Sequence, residues 1–255
     1  MVIGEVGARH AVPLQLLDRS LDVYNPRVKA LRRRALAVHH RLLEIYGEPH
    51  WRHPLPPLDE LVSTVLSQNT NDLNRDRAFD ALRSRFPTWE AVRDAPRRSV
   101  ITAIRPAGLA NQKGPRIQNI LRQITAERGR LDLEFLRYST PDEARQWLLR
   151  FKGVGPKTTA IVMSFSLDMP AFPVDTHIHR VTGRLGLRPA RVGPDQAHVL
   201  LSELFPAETY QAAHLNLIRL GREVCQARRP ACERCPVTRW CDYYKTVVGG
   251  QKDVL

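Results

Sequence analysis

The sequence predicts an all-α protein, and three features carry that expectation. Apolar residues recur at helical spacing in segment after segment. No stretch shows the convincing apolar/polar alternation of a half-buried strand. Prolines and glycines such as Pro87, Gly129 and Pro141 punctuate the periodic segments.

Taken in order, the first 24 residues have weak periodicity and read as an arm or loosely packed extension. Leu58, Leu61, Val62, Val65 and Leu66 follow the i, i+3, i+4, i+7, i+8 stripe of an amphipathic helix. Phe79, Leu82 and Phe86 mark a second helix ending before Pro87. Ile117, Ile120, Leu121 and Ile124 mark another, stopped near Gly129. Thr140-Pro141-Asp142-Glu143 has the form of a capping box with proline at the first helical position, opening a helix that runs towards Arg150. A nearly all-apolar helix from Thr158 to Leu167 is expected to be buried. Two more are expected at about 176–185 and 207–222. With no internal repeat, the pattern fits two helical lobes meeting at a cleft.

The charge points to a polyanionic partner. Across 255 residues, 39 Lys and Arg against 26 Asp and Glu leave +13, with a sequence pI near 10.2. Each phosphate that such a surface neutralises releases condensed counterions; the alternative is a basic surface kept for solubility. No run of about 18 apolar residues marks a membrane span. The first residues lack a basic start followed by an apolar core, so the expected location is cytoplasmic.

All four cysteines, Cys225, Cys232, Cys235 and Cys241, fall in one 17-residue window, spaced C-x6-C-x2-C-x5-C. Four thiolates in one compact loop can hold zinc or a four-iron cluster, and composition does not choose between them.

The segment Phe151–Val162, FKGVGPKTTAIV, holds two of the chain's six lysines, Lys152 and Lys157. Gly153, Val154 and Gly155 separate two helices, and Pro156 suits the start of the second. The first amides of that helix lack intrahelical partners and can hold a phosphate oxygen. The alternative is a tight turn with glycines for geometry only. Lys157 stands near the positive end of the helix dipole, which disfavours its ammonium and favours the nucleophilic amine; the alternative is a solvated lysine contacting phosphate. Asp175, in Phe172–Arg180 (FPVDTHIHR), is either a helix N-cap or a carboxylate facing the cleft. His177 and His179 fit packed or solvated roles better than acid–base chemistry.

The glycine hairpin GVGPKTTA, the stretch VDTHIHRV and the cysteine quartet, in this order, resemble the helix-hairpin-helix DNA glycosylases of the endonuclease III family, over about 29–244. That resemblance implies a helical-barrel lobe over 58–165 ending in the hairpin (about 145–165). It also implies a second lobe built from part of 1–57 and from 166–255, which carries the cluster loop (225–241), with a DNA-binding groove between the lobes. It implies a bifunctional glycosylase and abasic-site lyase acting on oxidised pyrimidines in double-stranded DNA, as a monomer of bacterial or archaeal type. Lys157 would attack C1′ and expel the base, Asp175 would match the catalytic aspartate, and Gly153 to Gly155 would hold the DNA backbone. The cysteine spacing is similar to that of the family's loop, which implies [4Fe–4S] instead of zinc, with Arg228 and Arg229 presented to phosphates.

A flipped base leaves a hole that something must fill. LSQNTND, 66–72, is similar to the segment that supplies the plug, which places Asn69 there with Gln68 adjacent. AGLANQK, 107–113, is similar to the wedge loop and puts Leu109 between bases. The sequence departs from the family pattern where asparagine replaces the more frequent glutamine, and where Phe151-Lys152 replaces Leu-Pro before the hairpin. The rival readings are a monofunctional glycosylase of the same fold, against which Lys157 argues, and a non-catalytic iron–sulfur DNA-binding protein.

Overall fold

A computed structural model describes residues 25–49 and 54–248; the expected N-terminal arm, 1–24, lies outside them. Among the described residues every regular element is helical: α1 Pro26–Tyr46, α2 Pro57–Ser67, α3 Asp72–Arg85, α4 Trp89–Asp94, α5 Arg97–Ala103, α6 Ala110–Arg128, α7 Pro141–Leu149, α8 Pro156–Ser166, α9 Thr176–Arg184, α10 Pro194–Leu204 and α11 Tyr210–Glu223. Short 3-10 turns and a final five-residue π turn complete the set.

Local chemistry sets the helix ends. The capping box at α7 forms in full: Thr140 Oγ1 accepts from the Glu143 amide at 3.3 Å, and Glu143 Oε2 accepts from the Thr140 amide at 2.8 Å. At α3, Asn71 Oδ1 accepts from the Asn74 amide at 2.8 Å. Helix α1, which the sequence reading did not anticipate, starts on Asn25 and Pro26. It buries Ala35, Val38, His39 and Leu42, one face of a helix whose other positions are crowded with arginine. The expected helix over 207–222 opens as a 3-10 turn at 207–209 and becomes regular at Tyr210.

Two hydrophobic cores result. Leu61, Val65 and Leu66 of α2 pack with Leu82, Val100, Ile117, Leu121, Leu148 and Val162; Phe79 and Phe86 rest half-buried on this core. Ala35, Val38 and Leu42 of α1 join Ile178, Val181, Leu201, Leu217 and Leu220 in the second. Among the described residues, α1 and α9–α11 therefore share one core, and α2–α8 build the other.

Polar bridges fix the two halves to each other. Arg222 of α11 donates to Asp72, at the start of α3, at 2.8 Å, and Gln211 Nε2 donates to the Ser164 carbonyl at 2.7 Å. Burial alone would raise Asp72. The hydrogen bond and charge of Arg222, backed by Arg75 and Lys157, outweigh that and hold its carboxyl below the usual range.

Near the cysteine loop, Arg34 bonds both the Leu185 carbonyl (3.0 Å) and Asp242 (2.9 Å) across Gly186. Gly186 has φ +67, and a Cβ there would fall 1.8 Å from Asp242 Oδ2 and 2.6 Å from Arg34 Nη1. Gly186→Ala therefore combines left-handed backbone strain with a broken ion pair. The expected loss is about 1–3 kcal/mol, read as a lower denaturation midpoint.

Candidate nucleic-acid interface

Three loops on the α2–α8 side converge. The α2–α3 loop brings Gln68 and Asn69, the turn before α6 brings Leu109, and the α7–α8 hairpin brings Gly153 to Gly155. With Gln112, Lys113 and Arg116 they line an open cleft of about 520 Å³. Every plug, wedge and hairpin residue expected from sequence lies on it. Lys157 and Asp175 do not line it, and neither do Arg228 and Arg229, which are exposed on the cysteine loop.

Asn69 and Leu109 sit at positive φ, 53° and 50°. For non-glycine residues this costs on the order of 1–3 kcal/mol each and persists only where the surroundings over-determine it. Leu109 is 47% exposed, an uncovered leucine at the tip of a turn. The helix begins immediately after it, at Ala110, so the segment 107–113 expected as the wedge loop is a turn only as far as Leu109 and helical beyond it. Gln68 is committed to the hairpin: its Nε2 donates to the Gly153 carbonyl at 3.0 Å, and its Oε1 accepts from Arg116 at 2.6 Å. Asn69, by contrast, is exposed, which favours it over Gln68 at the plug position.

Gly153 has φ +87, and a Cβ there would meet Arg116 Nε at 2.2 Å, so the turn needs glycine on both counts. Gly155 precedes α8 with no side-chain cap, and Pro156 occupies the first helical position. The free amides of the first turn therefore face outwards, as an anion site requires. Lys157 is exposed there.

Asp175 caps α9, its Oδ1 accepting from the Ile178 amide at 2.8 Å. Its loop is pinned from behind by two histidines: His198 Nδ1 lies 3.0 Å from the Phe172 carbonyl, and His214 Nδ1 lies 2.9 Å from that of Pro173. Burial pulls His214 down to about 4; the charge of Asp175 works against that shift and the charge of Lys157 adds to it. A single buried imidazole thus lies within electrostatic reach of both Lys157 and Asp175. His177 and His179 are occupied elsewhere, with Arg180 and with Val192 and Arg188 respectively.

Burial raises the thiols of Cys232, Cys235 and Cys241, Cys235 to about 11, and the neighbouring cysteines add to each shift. All four sulfurs thus share one electrostatic neighbourhood. Among the described residues, no three His, Cys, Asp or Glu side chains draw together as tightly as a single ion requires. Arg184 of α9 donates to Cys225 Sγ at 3.3 Å and to the carbonyls of Gln226 and Ala227, so the loop hangs from the helix that Asp175 caps.

Two residues of this region carry roles that the sequence reading did not assign. Lys113 is 1% exposed, its Nζ donating to the carbonyls of Leu66 (2.8 Å) and Ala107 (2.7 Å). Burial, with the Arg116 charge beside it, lowers it to about 8. Arg116 packs over Gly153. A signal for Lys113 was present: it stands at i−4 and i−7 from Ile117 and Ile120, on the apolar face of α6.

A helical scaffold with an exposed lysine after a glycine hairpin, an open cleft lined by that hairpin and a carboxylate that acts on the same buried histidine as the lysine fits a class of DNA-repair enzyme. The chain belongs to the HhH-GPD superfamily of base excision DNA repair proteins, whose family model matches residues 62–207. Endonuclease III of Thermotoga maritima is 32% identical over 189 residues, 74% of this chain and 84% of that one. An Arabidopsis thaliana protein with a provisional DNA glycosylase name is 44% identical over 151 residues, which are 59% of this chain; the match spans about half, 52%, of the plant protein. Solved structures of endonuclease III on DNA, one non-covalent and one a trapped covalent intermediate, superpose with TM-scores of 0.73 and 0.71. Both are 25% identical, and each match covers 84% of this chain and 96% or 97% of that one.

Proposed function

We propose that this protein is a bifunctional DNA glycosylase and abasic-site lyase acting on oxidised pyrimidines in double-stranded DNA. The observation that carries the reading is the placement of Lys157: exposed on the uncapped first turn of α8, and felt by the same buried histidine that feels Asp175. The free amides beside it suit a DNA phosphate, which would bring the amine to the sugar. The amine nitrogen bonds to C1′ and loses a proton, while the C1′–N glycosidic bond breaks and its electron pair leaves with the base, which is protonated. The C1′–O4′ bond then breaks, O4′ taking the electron pair and a proton, and the opened sugar carries an imine at C1′ that acidifies C2′–H; removal of that proton breaks the C3′–O bond and releases the 3′ phosphate. Asp175 keeps Oδ1 on its helix and has Oδ2 to stabilise the cationic sugar. Asn69 and Leu109 fill and part the duplex around the extruded nucleotide.

Incubation with abasic-site DNA and borohydride tests this. A covalent adduct is expected with the native protein and none with Lys157→Ala; a native protein that binds DNA without trapping would refute the lyase.

The C-x6-C-x2-C-x5-C spacing, similar to that of the family's cluster loop, together with an all-thiol donor set, supports a [4Fe–4S] cluster here. Cys225, Cys232, Cys235 and Cys241 would hold it. When bound, the cluster would supply a structural staple that fixes the loop bearing Arg228 and Arg229 for phosphate contact. Purified protein is expected to be brown with broad visible absorption, and iron removal should lower the thermal midpoint and weaken DNA binding. A colourless protein containing zinc would overturn the assignment.

A further inference from the structure

Helix α6 reaches all three loops of the cleft through two residues one turn apart. Lys113 joins the end of α2 to the turn before Leu109 by way of the Leu66 and Ala107 carbonyls. Arg116 joins the residue 68–69 loop to the hairpin by way of Gln68 and Gly153. The two residues this brace encloses, Asn69 and Leu109, are two of the four non-glycine residues held at positive φ among the described residues. Strained backbone of that kind relaxes unless its neighbours forbid it. One buried ammonium bonded to both carbonyls forbids it here, because moving either loop would leave that buried donor short of an acceptor.

We infer that Lys113 is a positioning residue for base extrusion: it fixes the separation of Asn69 and Leu109 so that both enter the duplex together. It does not touch the reacting atoms, since its nitrogen is buried and occupied. This deepens the proposed function and rests on it. The step it governs is specific. An intact damaged base must be unstacked and unpaired, whereas an abasic sugar has little to unstack. Loss of the brace therefore falls on base removal far more than on abasic-site cleavage.

The experiment compares Lys113→Met, which keeps the aliphatic stem, with Lys113→Arg and the native protein, on duplexes carrying either an oxidised pyrimidine or an abasic site. A 2-aminopurine beside the damaged base reports unstacking, and a Lys157→Ala background prevents chemistry during that measurement. Lys113→Met is expected to lose about 100-fold in base removal, the scale of a small misplacement at a reacting centre, and most of the unstacking signal. Abasic-site cleavage should be at least about tenfold less affected, and Lys113→Arg should recover part of the signal. Equal losses on both substrates, or no loss on either, would overturn the inference. Should Lys113→Met not fold, Arg116→Met carries the test and must show the same split. A native protein inactive on abasic DNA would instead refute the proposed function, while the unstacking comparison would still judge the brace.

Discussion

Lys157→Ala is expected to remove borohydride trapping and strand cleavage together, by about 10⁴-fold or more, while leaving fold and DNA affinity nearly intact. The size follows from its role: without a nucleophile no covalent intermediate forms, and the remaining groups only bind and orient. The selectivity follows from its position. The side chain is exposed on the first turn of α8, alanine is the best helix former, and a cation there opposes the helix dipole. Stability should therefore change by no more than about 0.5 kcal/mol, in either direction. Two other lysines serve as internal controls. Lys113 is shielded from any sugar by burial and by its two carbonyls. Lys152 is exposed before the hairpin, so Lys152→Ala should retain trapping. Gel-resolved adducts and single-turnover cleavage on the same DNA measure both; trapping that survives Lys157→Ala would move the nucleophile elsewhere.

Much of this site was legible before any coordinates because its chemistry lies in short contiguous motifs. Gly153 to Lys157 is a turn followed by a helix start, and both need particular residues at particular places, so the pattern survives in one dimension. The same holds for the box at Thr140 and for the apolar stripes of α2 and α6. What sequence did not show is what depends on distance. Helix α1 buries only four side chains in 21 residues, too thin a stripe among its arginines to stand out, and it becomes a core element only against α10 and α11. Helices α4 and α5 have six and seven residues, less than two turns, so no periodicity can accumulate. Arg116 looks like any solvated arginine until Gly153, 37 positions away, folds beneath it. The choice between Gln68 and Asn69 at the plug was likewise a question of partners: Gln68 has two and Asn69 stands exposed.

Asp175 combines two roles that one pair of substitutions separates. As an N-cap, its Oδ1 holds the Ile178 amide and so orients α9, from which the cysteine loop is suspended through Arg184. As a carboxylate, on the proposed mechanism, it would supply negative charge where the sugar becomes cationic. Asparagine caps a helix about as well as aspartate, so Asp175→Asn should keep the thermal midpoint and any bound iron, and lose only the charge. A unit charge about 4 Å away at an effective dielectric near 20 corresponds to at most about 4 kcal/mol, so base removal should fall by about 100- to 1,000-fold. Asp175→Ala should show the same catalytic loss plus about 1 kcal/mol of destabilisation from the missing cap. Single-turnover base removal and thermal unfolding, measured on both variants, separate the contributions. Near-native turnover in Asp175→Asn with a destabilised Asp175→Ala would leave Asp175 as a cap alone, and Lys157 would then need another group to stabilise the positive charge at C1′.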